Sequence, residues 1–221
     1  YTAESGKDSQ IVSLTVSSND RLYALFDNKA VVVWDITTGQ LLGSKLLKKR
    51  AVSLICGSVL VNGISNEVAI TADKAGDIIA HRSPSLDKEV LLGGHTASTI
   101  TDIAISQDQS LILTSDRDEK IRISSFPAVE TIQSYCLGHT SVVSSVSTLA
   151  LEGKQVIVSS GWDHKVHVWK YSPGTLSPVA TVSFGTDIPQ STLPIEHKVE
   201  ESNEESKPEI EQAEEDDDMP A

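Results

Sequence analysis

The sequence predicts an all-β fold built from a repeated four-stranded unit. Four segments align with one another, in steps of 46, 44 and 45 residues, at Trp34, Ala80, Ser124 and Trp169. Gly-His dipeptides begin at Gly94 and Gly138, and a Trp-Asp dipeptide begins at Trp34. A period near 45 residues, with Gly-His early and Trp-Asp late in the repeat, is typical of the blades of a WD-repeat β-propeller.

Each repeat also shows the alternation that a half-buried strand requires, because successive side chains on a strand point to opposite faces. The apolar residues that alternate most clearly in the third and fourth repeats are Ile103, Ile105, Leu111, Leu113, Val156, Val158, Val166 and Val168. Polar turns separate these short runs. The spacing predicts four short antiparallel strands in each blade.

The number of repeats determines the domain organisation that we expect. Propellers close roughly four to eight blades into a ring, so we expect these blades to be part of a longer, seven-bladed propeller. We assign residues 1–175 to the blades and residues 176–221 to a Ser/Pro/Glu-rich acidic disordered tail or inter-blade insertion. An open stack of four blades would expose apolar blade faces and strand edges.

The negative charge of the chain is concentrated near its C-terminal end. The formal net charge is −13, and residues 196–221 hold twelve acidic residues against two lysines. Such a segment repels itself and buries too little apolar surface to fold alone. An acidic arm that binds a basic partner such as a histone is the functional alternative.

Signals for secretion and for catalysis are absent from the sequence. It contains no apolar run of 18 residues, and its two cysteines, Cys56 and Cys136, lie far apart. We therefore expect a soluble protein of the cytosol or nucleus, with the nucleus as our assignment. Glycine-rich nucleotide loops, HExxH and GxSxG motifs are also missing, so we expect no catalytic, cofactor-binding or metal-binding residue and no cofactor.

One set of residues in the fourth repeat resembles a catalytic triad, namely His139, Ser159 or Ser160, Asp163 and Trp169. A Ser, a His and an Asp within hydrogen-bonding reach are the parts of an activated nucleophile. In a WD-repeat blade the same positions hold buried polar groups that satisfy one another, and we favour this structural network. The third repeat keeps His95 and Asp118 but has Ser124 in place of Trp, which predicts an incomplete network.

Two charged segments are candidates for binding, a basic cluster and a run with three residues of each sign. The first is a cluster between the first two repeats, which could contact RNA phosphates or form a solvated loop: Lys45, Lys48, Lys49 and Arg50. The second is the run Asp116–Ile123, which places Ile121 and Ile123 on the core face. Arg122 then occupies a position that is aliphatic in two other repeats. Such an arginine requires a carboxylate, either internal (Asp116, Asp118 or Glu119) or from a partner.

The run TSDRDEKIRIS, followed by QSYCLGHTSVVSSVS, resembles the non-catalytic WD-repeat subunit of tRNA (guanine-N7-)-methyltransferase, as do ADKAGDI and WDHKVHVWKY. The similarity covers roughly residues 10–171. It implies a seven-bladed scaffold that binds and stabilises a catalytic subunit. That subunit carries the S-adenosylmethionine site and methylates a variable-loop guanosine of tRNA. The resemblance also implies that Arg117, Lys120 and Arg122 hold the catalytic subunit, and that tRNA binds mainly through that partner.

Other functions of WD-repeat propellers remain as alternatives at this stage. Substrate receptors of cullin-type ubiquitin ligases often carry an Arg two residues after Trp-Asp, whereas here Thr37 follows Trp34-Asp35-Ile36. A histone-binding propeller is favoured only by the acidic segment. A hydrolase built on Ser160 and His139 is the weakest alternative.

Overall fold

The computed structural model describes residues 9–172 and 175–183 of the chain. Within these residues, four antiparallel sheets each contain four strands in sequence order. Blade 1 consists of β1 (Ile11–Val16), β2 (Arg21–Phe26), β3 (Ala30–Asp35) and β4 (Leu41–Leu46). Blade 2 consists of β5 (Ala51–Val61), β6 (Ile64–Asp73), β7 (Asp77–Arg82) and β8 (Glu89–Gly94). Blade 3 consists of β9 (Ile100–Ile105), β10 (Leu111–Asp116), β11 (Lys120–Ser125) and β12 (Ile132–Leu137). Blade 4 consists of β13 (Val143–Leu151), β14 (Lys154–Gly161), β15 (Lys165–Ser172) and β16 (Thr175–Ser183).

The predicted strand pattern is confirmed, since the four alternating runs fall on β9, β10, β14 and β15. Among the described residues, no helix has the length and apolar character needed to cross a membrane.

The first strand of each blade is the inner strand, because β1 contacts β5, β5 contacts β9 and β9 contacts β13. One carboxylate joins three of these strands. Asp102 on β9 accepts hydrogen bonds from Ser53 on β5 (2.8 Å), and from the hydroxyl of Ser145 (2.8 Å) and the amide of Val146 (3.0 Å) on β13. Blades 2, 3 and 4 are therefore linked by side-chain contacts as well as by apolar packing.

The hydrophobic core lies between the blades. Strand β10 shows why: all six of its residues are buried, and its apolar residues alternate between two cores. Ile112 packs towards blade 2 with Ile70 and Ile100, whereas Leu113 packs towards blade 4 with Ile157 and Trp169. Ile121 and Ile123 are fully buried in the same cluster as Leu113, as expected from the sequence.

The blades extend further than the sequence boundary at residue 175 suggested. Residues 175–183 form β16, which pairs with β15 as the fourth strand of blade 4. Its polar and proline-containing sequence is compatible with a strand because β16 is an exposed edge strand, where polar residues and proline are tolerated. Pro178 lies opposite Trp169, next to a shift in the register. The rest of the predicted acidic segment, residues 184–221, lies outside the described residues.

Candidate partner-binding surface

The charged run of blade 3 forms the hairpin turn between β10 and β11. Asp116, the last residue of β10, holds this turn, because its Oδ1 accepts the amides of Asp118 (2.9 Å) and Lys120 (3.1 Å). Glu119 has a positive φ of 67°. The side chains of Arg117 and Lys120 are exposed on this turn, and neither forms an ion pair with any residue that the structure describes.

Asp116, rather than the Asp118 expected from the repeat pattern, belongs to the buried network of blade 3. Its Oδ2 lies 3.4 Å from Nδ1 of His95, and Nε2 of His95 lies 2.7 Å from the Thr114 hydroxyl. Burial favours the protonated acid, but His95 and the Lys120 amide outweigh it and hold the pKa of Asp116 below its usual value. Asp118 is exposed. The network is incomplete, as predicted, because the buried Ser124 hydroxyl has no partner.

Arg122 on β11 is buried, with 8% of its surface exposed. Its Nη1 donates to the Gly94 carbonyl oxygen at 2.9 Å, but its buried Nε has no hydrogen-bond partner in the described part of the chain. Burial lowers the pKa of the guanidinium, against the opposing effects of Tyr135 and Asp116. Among the described residues, no carboxylate lies within 4.0 Å of it, so the internal ion pair that the sequence left open is not formed.

One cavity of about 370 Å³ is lined by Arg122, Lys120, Tyr135, Leu137, the loop that contains His95, and the two acidic residues Asp116 and Asp118. Tyr135 and Leu137 are 42% and 63% exposed on β12. Exposed apolar groups beside an incompletely satisfied cation are typical of a protein-binding surface. We call this region the Arg122 surface. Arg117 lines a neighbouring cavity instead.

Blade 4 contains a network of buried polar side chains. Four of the five residues that the sequence proposed for it take part. His139 Nδ1 lies 3.0 Å from both oxygens of Asp163, and its Nε2 lies 2.9 Å from the Ser159 hydroxyl. Trp169 Nε1 donates to the same hydroxyl at 3.3 Å. Ser160 lies outside this network and contacts Ser144. Because Ser159 is only 1% exposed, no substrate can reach its hydroxyl.

His167 joins this network in a way that the repeat pattern did not predict. Its ring lies edge-on to that of His139 (4.5 Å) and stacks on Trp169 (5.4 Å). Among the described residues, His139, Asp163 and His167 form a group of ligand-type side chains that could hold a metal ion. Both nitrogens of His139 are already hydrogen-bonded, however, and Thr181 contacts Nδ1 of His167. Nε2 of His167 has no partner among the described residues, but a metal could bind His139 only by breaking its contact with Asp163 or Ser159, so the arrangement fits a structural network better.

The basic cluster at the end of β4 and just after it is mostly neutralised by blade 2. Lys45 and Lys48 both contact Glu89, with a distance of 2.8 Å from Lys45, and Lys49 lies 2.6 Å from Asp77. The two lysines lower the pKa of Glu89 to about 2. Arg50, which is exposed, forms no ion pair within the described part of the chain. The four residues therefore do not form a free basic patch, and RNA contact there stays a prediction.

Curated relatives of the chain include proteins from mouse, Drosophila erecta and human. The Mus musculus and Homo sapiens proteins are each named "tRNA (guanine-N(7)-)-methyltransferase non-catalytic subunit WDR4", and they are 32% and 33% identical over 78% and 74% of this chain. The Drosophila erecta protein, named the "wuho" non-catalytic subunit of the same enzyme, is 33% identical over 76% of the chain. The matches cover 40%, 38% and 36% of these relatives, so the chain spans about two fifths of their length.

A solved structure supports the fold. The chain is similar to the crystal structure of the Cps50 (Swd1) β-propeller domain of Myceliophteria thermophila, with a TM-score of 0.63 and 11% identity. The match covers 78% of this chain and 58% of that one. The sequence model of the tRNA methyltransferase TRM82 WD40 domain matches residues 79–211, which is more than half of the chain. The resemblance stated from the sequence is thereby confirmed: the chain belongs to the TRM82 WD40 domain family.

Proposed function

We propose that the protein is the non-catalytic scaffold subunit of a tRNA (guanine-N7-)-methyltransferase. The propeller binds and stabilises a catalytic subunit, which carries out the N7-methylation of a variable-loop guanosine. tRNA reaches the complex mainly through the catalytic subunit. The names of the relatives and the family membership support this role.

The observation that carries the proposal is the incomplete satisfaction of Arg122. A buried guanidinium that lacks a carboxylate and has a free Nε is costly unless a partner supplies an acceptor. The Arg122 surface is open on the side of Lys120, Tyr135 and Leu137. A carboxylate of the catalytic subunit placed between Arg122 and Lys120 would remove this cost.

The test is the affinity of the full-length protein for the catalytic subunit. We expect Arg122→Glu to weaken binding by at least about 2 to 5 kcal/mol, because two carboxylates would then face each other in a desolvated contact. Lys120→Glu should weaken binding while leaving the melting temperature unchanged, since Lys120 is exposed. The matched control is Lys154→Glu, an exposed lysine at the start of β14 that the Arg122 surface does not include.

Two outcomes distinguish the explanations. If Arg122→Glu lowers the melting temperature but Lys120→Glu leaves the affinity intact, the Arg122 surface has a structural role only. A positive charge in place of the facing acidic residue of the catalytic subunit should restore binding to Lys120→Glu.

The nuclear location is part of the same proposal, and imaging of the tagged full-length protein tests it.

A further inference from the structure

Three hairpin turns come together at one end of the inner strands. They connect the second and third strands of blades 2, 3 and 4, and they place Lys74, Arg117 and Trp162 at matching positions of the repeat. These side chains surround a cavity of about 360 Å³. Its apolar lining comes from the inner-strand side, from Val52, Ile100 and Val142. We call it the turn cavity.

Trp162 is the exceptional residue of the turn cavity. Its side chain is 66% exposed, although tryptophan is large and costly to leave in water. The backbone below it is fixed, because the Trp162 amide donates to the Val142 carbonyl at 2.9 Å. The Arg117 amide is held in the same way by Thr99 (3.1 Å). An exposed tryptophan on a fixed backbone has the character of an interface hot spot.

The charge of the cavity specifies the chemistry of its occupant. Lys74 and Arg117 line it, and no carboxylate does. Neither cation forms an ion pair within the described residues, in contrast to Lys45, Lys48 and Lys49. Two unpaired cations beside an apolar lining match an apolar side chain flanked by carboxylates.

Two of the three hydroxyl side chains that line the cavity are already hydrogen-bonded within the fold, which favours a protein occupant over a nucleotide. The Thr101 hydroxyl already donates to the Val143 carbonyl, and the Ser144 hydroxyl donates to the Ser160 carbonyl. Recognition of a base edge requires free donors and acceptors. These hydroxyls are committed within the fold, whereas the apolar lining is free to contact an aliphatic or aromatic side chain.

We propose that the turn cavity is a second contact site for the catalytic subunit, which inserts an apolar side chain between two carboxylates. This inference rests on the proposed function. The turn Asp116–Lys120 lies between the two cavities, so that Arg117 faces one and Lys120 the other. The contact surface then runs from Arg122 in blade 3 across the turn to Trp162 in blade 4 and Lys74 in blade 2.

The experiment measures the affinity of the full-length protein for the purified catalytic subunit. Trp162→Ala should weaken binding about 30-fold, the effect of losing one hot-spot residue. Lys74→Glu should slow association and reduce its dependence on salt. The matched control is Leu60→Ala, because Leu60 is 73% exposed near the far end of β5, the strand on which Val52 lines the cavity. It should bind like the wild type, and all three variants should keep the wild-type melting temperature.

Four results are informative. Weaker binding by Trp162→Ala with an unchanged Leu60→Ala supports the turn cavity as a contact. If Trp162→Ala binds normally while Lys120→Glu does not, the inference is wrong and the proposed function stands. If the wild-type protein does not bind the catalytic subunit, the proposed function fails and the inference fails with it. If Trp162→Ala weakens the affinity of the isolated protein for a tRNA transcript but not for the subunit, the cavity is a nucleotide site and the inference is wrong.

Discussion

Two buried polar side chains, Arg122 and His139, differ in how many of their hydrogen-bonding nitrogens have a partner within the protein. Both ring nitrogens of His139 have partners within blade 4, whereas the Nε of Arg122 has none and its Nη1 contacts only a carbonyl. A fully paired buried group stabilises and specifies the fold. A buried charge without its counterion is costly, and this difference is the reason why we propose Arg122, and not His139, as a binding residue.

His81 gives a prediction at the same scale. It is 1% exposed, its Nε2 lies 2.9 Å from the Thr71 hydroxyl, and its Nδ1 has no partner. Burial lowers the pKa of His81 to about 4; Lys45 lowers it further and Glu89 opposes both. In the unfolded chain the pKa is about 6.5. The unfolded state therefore binds the proton first, and stability is lost as the pH falls from 6.5 to 4.

The expected loss across that range is on the order of 3 kcal/mol in the free energy of unfolding. Urea unfolding of the full-length protein at a series of pH values measures it. His81→Gln should remove this part of the pH dependence, and the exposed His164, changed to Asn, provides the control. A wild-type curve that is flat between pH 6.5 and 4.5 would contradict the prediction.

The hairpin turns between second and third strands are the elements that connect the fold to the proposed binding surface. In blade 2, Gly76 has a φ of +97°, and its carbonyl accepts the amide of His95 at 2.9 Å. A Cβ added at Gly76 would lie 2.3 Å from the His95 carbonyl oxygen and 3.3 Å from that of Ser98. This glycine therefore positions the loop that contains His95 and Ser98, which lies at the edge of the Arg122 surface.

We expect Gly76→Ala to lower the free energy of unfolding by about 1 to 3 kcal/mol more than Gly63→Ala. Gly63 has a similarly positive φ of +77°, but nothing lies within 4 Å of its Cβ position. Its substitution should cost about 1 kcal/mol from backbone strain alone. Urea unfolding of the two variants measures the difference. Equal losses would show that the contact with His95 has no energetic importance.

The elements also show how far the sequence could be interpreted. The strands and the burial of Ile121 and Ile123 followed from alternation, because a period of two does not depend on distant contacts. The sequence could not show that Asp116, rather than Asp118, contacts His95, since this depends on where the His95 ring lies in space. In blade 4, Gly161 occupies the position of Asp116, which leaves room for Asp163 to reach His139.

The same limit applies to the candidate site. The sequence singled out Arg122 from its aliphatic counterparts, but the choice between internal and external carboxylates required coordinates. The lysines of the basic cluster appeared free because their partners, Glu89 and Asp77, are 28 to 44 residues away in the sequence. Nothing in the sequence singled out Trp162, because the residues that surround it come from three different blades.

At the scale of the whole molecule, apolar packing between blades is the main feature, and blade 4 has one face that is not fully covered. Its register places Leu149, Val158, Val168 and Val182 on the face opposite Ile157 and Trp169. Leu149 and Val182 are 43% and 49% exposed, and Val158 and Val168 are half-buried. On β1, Ile11, Leu14 and Val16 are also more than half exposed.

We expect the 221-residue chain to self-associate at micromolar concentration, because contiguous apolar surface of this kind drives association. Sedimentation velocity over a concentration series measures it. Replacing both Leu149 and Val182 by Lys should shift the population towards the monomer. Removal of residues 196–221 should leave the association largely unchanged. A single monomeric species at every concentration would contradict the prediction.

Trp162 and Trp169 are only seven positions apart in the sequence, yet the protein places them in opposite surroundings. Trp169 is 4% exposed and stacked on His167, whereas Trp162 is 66% exposed beside Lys74 and Arg117. Of the three tryptophans in the chain, these two therefore serve as intrinsic optical probes of different regions. The emission of the buried indole reports on whether blade 4 is folded, and quenching of the exposed indole by iodide reports on whether the turn cavity is occupied.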